Sequence, residues 1–120
     1  MIQKIVIFAI SLFDFFHNMK IINFLKKKKL TNFNTFLDVG AHKGESIKLF
    51  LKNFEIKEIF SFEASPLNFE ILKNNELSLK KKFSNTKIKV ENKALGSISG
   101  QKVILNQMRE SSSSTINQID

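Results

Sequence analysis

The stretch Phe36-Leu37-Asp38-Val39-Gly40-Ala41-His42-Lys43-Gly44-Glu45-Ser46 decides how this chain folds. A short apolar, β-prone run ends in an acid, and the glycines after it let the backbone turn tightly with no Cβ in the way of a ligand. Glu45 then opens an amphipathic helix. Such a helix start carries unpaired N–H groups, which can hold a carboxylate or another anionic or polar part of a ligand. Strand, glycine turn and helix together point to a nucleotide-type cofactor.

Outward from this stretch the chain alternates between strand and helix. The first strand covers residues 35–39. A helix over residues 45–54 follows, with Ile47, Phe50, Leu51 and Phe54 on one face at spacings of three and four. Residues 58–63 form a second strand. Ser65 is the expected N-cap of a second helix with Pro66 at its first position, and Phe69, Leu72 and Leu77 are expected on its inner face. The run Lys80-Lys81-Lys82 closes it. In a third strand, residues 87–93, Ile88 and Val90 alternate with Lys87, Lys89 and Glu91, the pattern of a half-exposed edge. After the turn Gly96-Ser97-Ile98-Ser99-Gly100, residues 102–106 make a further short strand that can pair antiparallel with its predecessor. The serines at 111–114 read as a flexible loop.

The βαβαβ order predicts an α/β fold with parallel strands and right-handed crossover helices, the mononucleotide-binding half of a Rossmann-like sheet plus a short extra strand. In a complete sheet of that kind the first strand is central, and no fourth strand to flank it is found in residues 1–120. An apolar strand bare on one side invites aggregation, so a longer protein or a second chain is expected to cover it.

Upstream lies a different kind of sequence. Residues 5–25 are apolar at most positions, with Lys4, Ser11, Asp14 and Asn18 recurring along a narrow polar stripe, which predicts an amphipathic helix, or two with a break near His17. The uninterrupted apolar run over 5–10, extended past Ser11 to Phe13, falls short of the roughly 20 residues of a bilayer crossing. The Phe-rich sequence with Asp14 inside it lacks the small-residue cleavage site of a signal peptide. The lysines at 26–29 can rest on anionic headgroups beside this helix, which leaves peripheral membrane contact through residues 1–30 open next to packing against the following domain. Two regions result: a helical segment with a basic linker, 1–33, and an α/β domain, 34–120.

Composition narrows the chemistry. With 120 residues there is room for one small globular core. No cysteine is present, so thiolate metal sites, disulfides and a cysteine nucleophile are excluded; a reducing compartment such as the cytoplasm, at the inner face of a membrane if the helix docks there, fits this. The net charge of +8 comes from 18 Lys and one Arg, and neither Tyr nor Trp occurs. Arg reads bases and phosphates in bidentate fashion, so its near absence argues against nucleic acid as the partner. Lys, Asn, Ile and Phe are enriched together, as a general compositional bias produces.

Open α/β sheets bind ligands outside the carboxyl ends of their strands. Three groups fall there: Asp38 with Gly40 and Gly44, then Glu63, then Asn92. Glu63 follows Gly44 by 19 residues, close to the spacing at which an acid ending the second strand accepts hydrogen bonds from ribose hydroxyls. A carboxylate can accept from both hydroxyls at once; capping the helix that begins near Pro66 is the structural alternative. The glycines are spaced Gly40-x-x-x-Gly44 rather than in the G-x-G-x-x-G form that admits a pyrophosphate, and His42 stands where that pattern has its middle glycine. A negative charge at Asp38 suits a cationic ligand. S-adenosylmethionine carries an amino group and a sulfonium and no phosphate, which favours it over NAD or ATP.

Together, Asp38-Val39-Gly40-Ala41-His42-Lys43-Gly44, Ser61-Phe62-Glu63-Ala64-Ser65-Pro66 and Asn92-Lys93-Ala94-Leu95-Gly96 resemble the FkbM family of S-adenosylmethionine-dependent methyltransferases over residues 36–120. His42 departs from the Asn usual in that family's first motif, and Ala64 from the Pro usual in its second. The resemblance implies a class I methyltransferase fold in which Asp38, Gly40, Ala41 and Gly44 surround the methionine part, His42 sits beside the cofactor, Glu63 holds the ribose, and Asn92 with Ala94 lies near the adenine. It also implies O-methylation of a hydroxyl acceptor, a small molecule or a glycan. Ser113, Ser114 and Thr115, followed by Ile119 and Asp120, resemble the segment before the family's fourth strand. No residue stands out as the catalytic base or as a metal ligand, and the substrate half is expected to lie outside residues 1–120.

Overall fold

The computed structural model describes residues 2–106 and 115–118. The chain divides into two compact units, residues 1–32 and 33–120.

In the first unit, α1 (Ile2–Lys27) is one uninterrupted helix of 26 residues, with no break near His17. It is not amphipathic. Ile5, Val6, Ile7, Phe8, Ile10, Leu12, Phe13, Phe15 and Phe16 are all exposed, because consecutive apolar residues spread over the whole circumference and leave no sustained polar face. The apolar run is also longer than the stretch before Asp14 implied: from Lys4 to Lys27 the helix is long and apolar enough to cross a membrane by length and composition.

The second unit is mixed α/β, with a three-stranded parallel sheet. Its strands are β1 (Asn32–Val39), β2 (Glu55–Phe62) and β3 (Lys87–Glu91), in the order β1-β2-β3. α2 (Glu45–Asn53) connects the first pair and α3 (Pro66–Lys82) the second. β2 and β3 run in parallel register, with Ile59 opposite Ile88 and Ser61 opposite Val90. Thr86 ties the start of β3 to β2 by donating its hydroxyl to the Ile56 carbonyl at 2.7 Å.

Ile47 and Leu51 on α2, Phe54, Ile56 and Ile59, Leu72 and Leu79 on α3, and Ile88 and Val90 on β3 are buried and make the core. Four of the 13 phenylalanines line the seam between β1 and α2. Phe36 stacks on Phe50 with centroids 4.7 Å apart, and Phe33 meets Phe54 edge-on at 5.3 Å. The phenyl rings of Phe50 and Phe54 complete the run.

α3 begins as its sequence requires, with the Ser65 hydroxyl accepting from the Asn68 N–H and Pro66 in the first turn. Its inner face differs from the expected one. Leu77 is 65% exposed, and Leu79 is buried in its place, alongside Asn68 and Glu76. Polar residues occupy two inward positions, so the apolar spacing alone misplaces the face.

Further along, β4 (Val103–Asn106) does not pair with β3. It pairs antiparallel with β5 (Thr115–Gln118) in a separate two-stranded sheet, Val103 opposite Gln118 and Asn106 opposite Thr115. The segment from Asn92 to Lys102 carries the chain away from the parallel sheet without strand pairing, so the nearest preceding strand is not the partner. The loop expected at 111–114, and the family-like Ser113, Ser114, Ile119 and Asp120, lie outside the described residues.

Among the described strands β1 has a neighbour on one side only. Leu37 and Val39 at its end are each 62% exposed.

Candidate functional site

The carboxyl ends of the three parallel strands are laced together by short hydrogen bonds. The N–H groups of Gly40 and Ala41, just past β1, both donate to the Phe62 carbonyl at the end of β2, at 2.9 and 3.0 Å. The Glu63 N–H donates to the Glu91 carbonyl at the end of β3 at 3.0 Å. The turn after β1 is built from residues with positive φ: Gly40 at 78°, His42 at 51° and Gly44 at 94°. Only glycine adopts such angles freely, and His42 is held there by its partners.

Glu63 is the keystone of this lacing. One carboxylate oxygen accepts the His42 N–H at 2.7 Å, and the other accepts the Ser65 N–H at 2.8 Å. The side chain therefore links the β1–α2 turn to the β2–α3 turn while staying buried. Each carboxylate oxygen has two acceptor positions, so both keep capacity for a ligand hydroxyl.

Asp38 is buried at the end of β1 and accepts the Ser46 hydroxyl from the first turn of α2 at 2.9 Å. Burial pushes its carboxyl above the usual carboxylate range; the Ser46 hydroxyl pulls it down, and the nearby charges of Glu45 and Glu63 push it up again. Three acids thus act on one small volume. Glu45 also organises the turn, accepting the Lys43 N–H at 3.1 Å through one oxygen and lying 3.1 Å from Nδ1 of His42 with the other.

Asn92, just beyond β3, spends its side-chain amide on the β2–α3 turn, donating to the Glu63 carbonyl at 2.7 Å and the Ala64 carbonyl at 3.1 Å. Asp38, Gly40, Ala41, His42, Glu63 and Asn92 are therefore brought to one rim. Ala94 lies two residues further along the same loop, half-buried. Gly44 faces the core instead: a Cβ there would stand 3.1 Å from Leu72 Cδ1, with Ile47 and Leu79 also close. Around Gly40 the space is open, with nothing within 4 Å of a Cβ.

The sequence pattern marks Glu45 only as the start of a helix and does not mark Ser46 or Asn75, yet all three shape the turn; Asn75 donates to the Lys43 carbonyl at 2.9 Å. Glu45 and Ser46 could have been found from their place in the first helical turn, beside the acid that ends β1. Asn75 carries no local signal, since its partner is 32 residues away.

Among the described residues no group of three or more His, Asp or Glu side chains is placed to hold a metal ion. The chain matches no family model, no curated protein and no solved structure.

Proposed function

We propose that residues 33–120 form the cofactor-binding part of an S-adenosylmethionine-dependent methyltransferase of FkbM type, Rossmann-like in fold, acting on a hydroxyl acceptor such as a sugar. The observation that carries this is the gathering of Asp38, Gly40, Glu63 and Asn92 at the carboxyl ends of three parallel strands, where open α/β sheets take ligands.

The residues present fit that cofactor. A buried Asp38 whose proton affinity is raised by its surroundings and by two neighbouring carboxylates offers a favourable place for positive charge and a poor one for phosphate. The open space at Gly40 admits a ligand against the backbone. Glu63 keeps acceptor positions for ribose hydroxyls beside the two N–H groups that orient it. Asn92 acts through position, by fixing the loop that carries Ala94.

When bound, the sulfonium supplies a methyl group activated for in-line displacement, a reaction that depends mainly on positioning and on a base for the acceptor proton. No residue of this chain is assigned as that base, so binding rather than turnover is the test. Isothermal titration of the full chain with S-adenosylmethionine should give saturable one-site binding. No heat and no thermal shift at about 100 times the micromolar affinities typical of such ligands would overturn the proposal.

The ribose role is tested with a 3′-deoxy analogue of the demethylated cofactor. Loss of a hydrogen bond to a charged group should weaken binding about 10-fold or more in the native chain, and leave Glu63→Gln much less sensitive. Equal loss in both proteins would reject Glu63 as the ribose acceptor.

The exposed apolar surface of α1 favours a second reading, a non-catalytic module held on a membrane in the cytoplasm. The two part on whether S-adenosylmethionine binds.

A further inference from the structure

We propose that α1 crosses a lipid bilayer, with its Lys-rich end on the anionic, cytoplasmic side, so that the α/β unit is anchored there. This stands apart from the methyltransferase reading and does not depend on it.

The dimensions fit first. The 24 residues from Lys4 to Lys27 span about 36 Å at 1.5 Å per residue, against a hydrocarbon core of about 30 Å. Only 6% of the span's most apolar window is buried. Ile7, Phe8, Ile10, Phe13 and Phe16 all stand exposed, and at 3.6 residues per turn these positions point around the whole circumference rather than along one stripe. A helix lying in the plane of a membrane needs one polar face for water, and a helix apolar all round needs apolar surroundings all round. Among the large apolar side chains of α1, Ile22 is the one that is fully buried.

The charges fit next. Lys26, Lys27, Lys28 and Lys29 follow one another where the helix ends, and cationic residues clustered at the end of a span hold that end on the cytoplasmic side. Lys20 lies within reach of the same side through its long stem. The polar residues inside the span are few. The Ser11 hydroxyl is satisfied within the helix by donating to the Ile7 carbonyl at 2.9 Å, as an apolar solvent demands. Asp14, near the middle, is the one acid between Lys4 and Lys27; it opposes insertion, so removing it should tighten membrane retention.

The full chain expressed in bacterial cells tests this, by fractionation followed by washes in high salt and in alkaline carbonate. The expected result is a full-length chain that stays with the membrane through both washes. Asp14→Leu should be retained at least as firmly, and the double change Phe8→Lys with Phe16→Lys should move to the soluble fraction. Both Phe side chains are exposed, so the α/β unit keeps its fold. Recovery in the soluble fraction, release by salt alone, a chain shortened at its N-terminal side, or full retention of the double-Lys variant would each overturn the proposal.

Sidedness has its own readout, because the chain has no cysteine of its own. A membrane-impermeant maleimide applied to spheroplasts should label Ile2→Cys, and should label Ser97→Cys only after lysis. Labelling of Ser97→Cys in intact spheroplasts would overturn the orientation, and protection of Ile2→Cys would overturn the crossing.

Discussion

The main-chain N–H of His42 donates to Oε2 of Glu63 at 2.7 Å, joining two turns that lie 21 residues apart. The other oxygen of the same carboxylate accepts from Ser65 at 2.8 Å. Glu63→Ala leaves both N–H groups without their acceptor, and a buried donor without a partner costs about 1–3 kcal/mol. We expect a loss of stability on that scale by urea denaturation, with faster amide exchange at His42 and Ser65. Unchanged exchange at His42 would mean that the turn is held by something else.

Asp38 sets a different expectation, because folding raises its proton affinity. The native chain keeps a proton that the unfolded chain releases, so this stabilising contribution is full below the unfolded value near pH 4 and is lost as pH rises through the higher native value. Asp38→Asn retains an acceptor for Ser46 and removes the buried charge. Its melting temperature should exceed that of the native protein at pH 7 and match it below about pH 4, while affinity for S-adenosylmethionine falls. A variant less stable at neutral pH would contradict the assignment.

Glu76 runs the other way. Burial pushes its carboxyl up, but the ammonium groups of Lys73 at 2.7 Å and Lys80 at 2.8 Å outweigh this and hold it below the usual range. Stability from this group is therefore present above the unfolded value near pH 4.3 and is lost as pH falls through the lower native value. Glu76→Gln should cost about 1–2 kcal/mol at pH 7, with the gap to the native protein closing in acid. Denaturation across pH 3–7 measures both.

The two glycines of the turn should separate on substitution. At Gly40 an added methyl group meets only the strain of positive φ, about 1–2 kcal/mol. At Gly44 the same strain is joined by a contact at 3.1 Å with Leu72. Gly44→Ala should therefore be the less stable variant, and Gly40→Ala the one whose ligand binding suffers out of proportion to its stability. The opposite ranking in a thermal melt would place Gly44, not Gly40, at the open side.

The elements carried by strict local rules were legible from residue types alone. Ser65 with Pro66 marks the start of α3, and Ile47, Leu51 and Phe54 mark the inner face of α2. What escaped were positions decided by distant partners. Leu79 is inside and Leu77 outside because Glu76 can be buried, and it can be buried because Lys73 and Lys80 reach it. β5 went unseen because Thr115-Ile116-Asn117-Gln118 is mostly polar, and its pairing with β4 comes from register rather than composition. In the site, Asp38, Glu63 and Asn92 were visible as strand-end residues. That Glu63 spends its carboxylate on the β1–α2 turn and Asn92 its amide on the β2–α3 turn was not, since such bonds depend on which strands lie side by side.

The rim formed by the Phe62 carbonyl, Glu63 and Asn92 has a kinetic consequence. Its turns are fastened to one another without a ligand, so the cofactor proposed above would meet these turns already ordered and with little conformational entropy to overcome at them. Association should be a single step, fast and linear in ligand concentration, with selectivity expressed in how long the ligand stays.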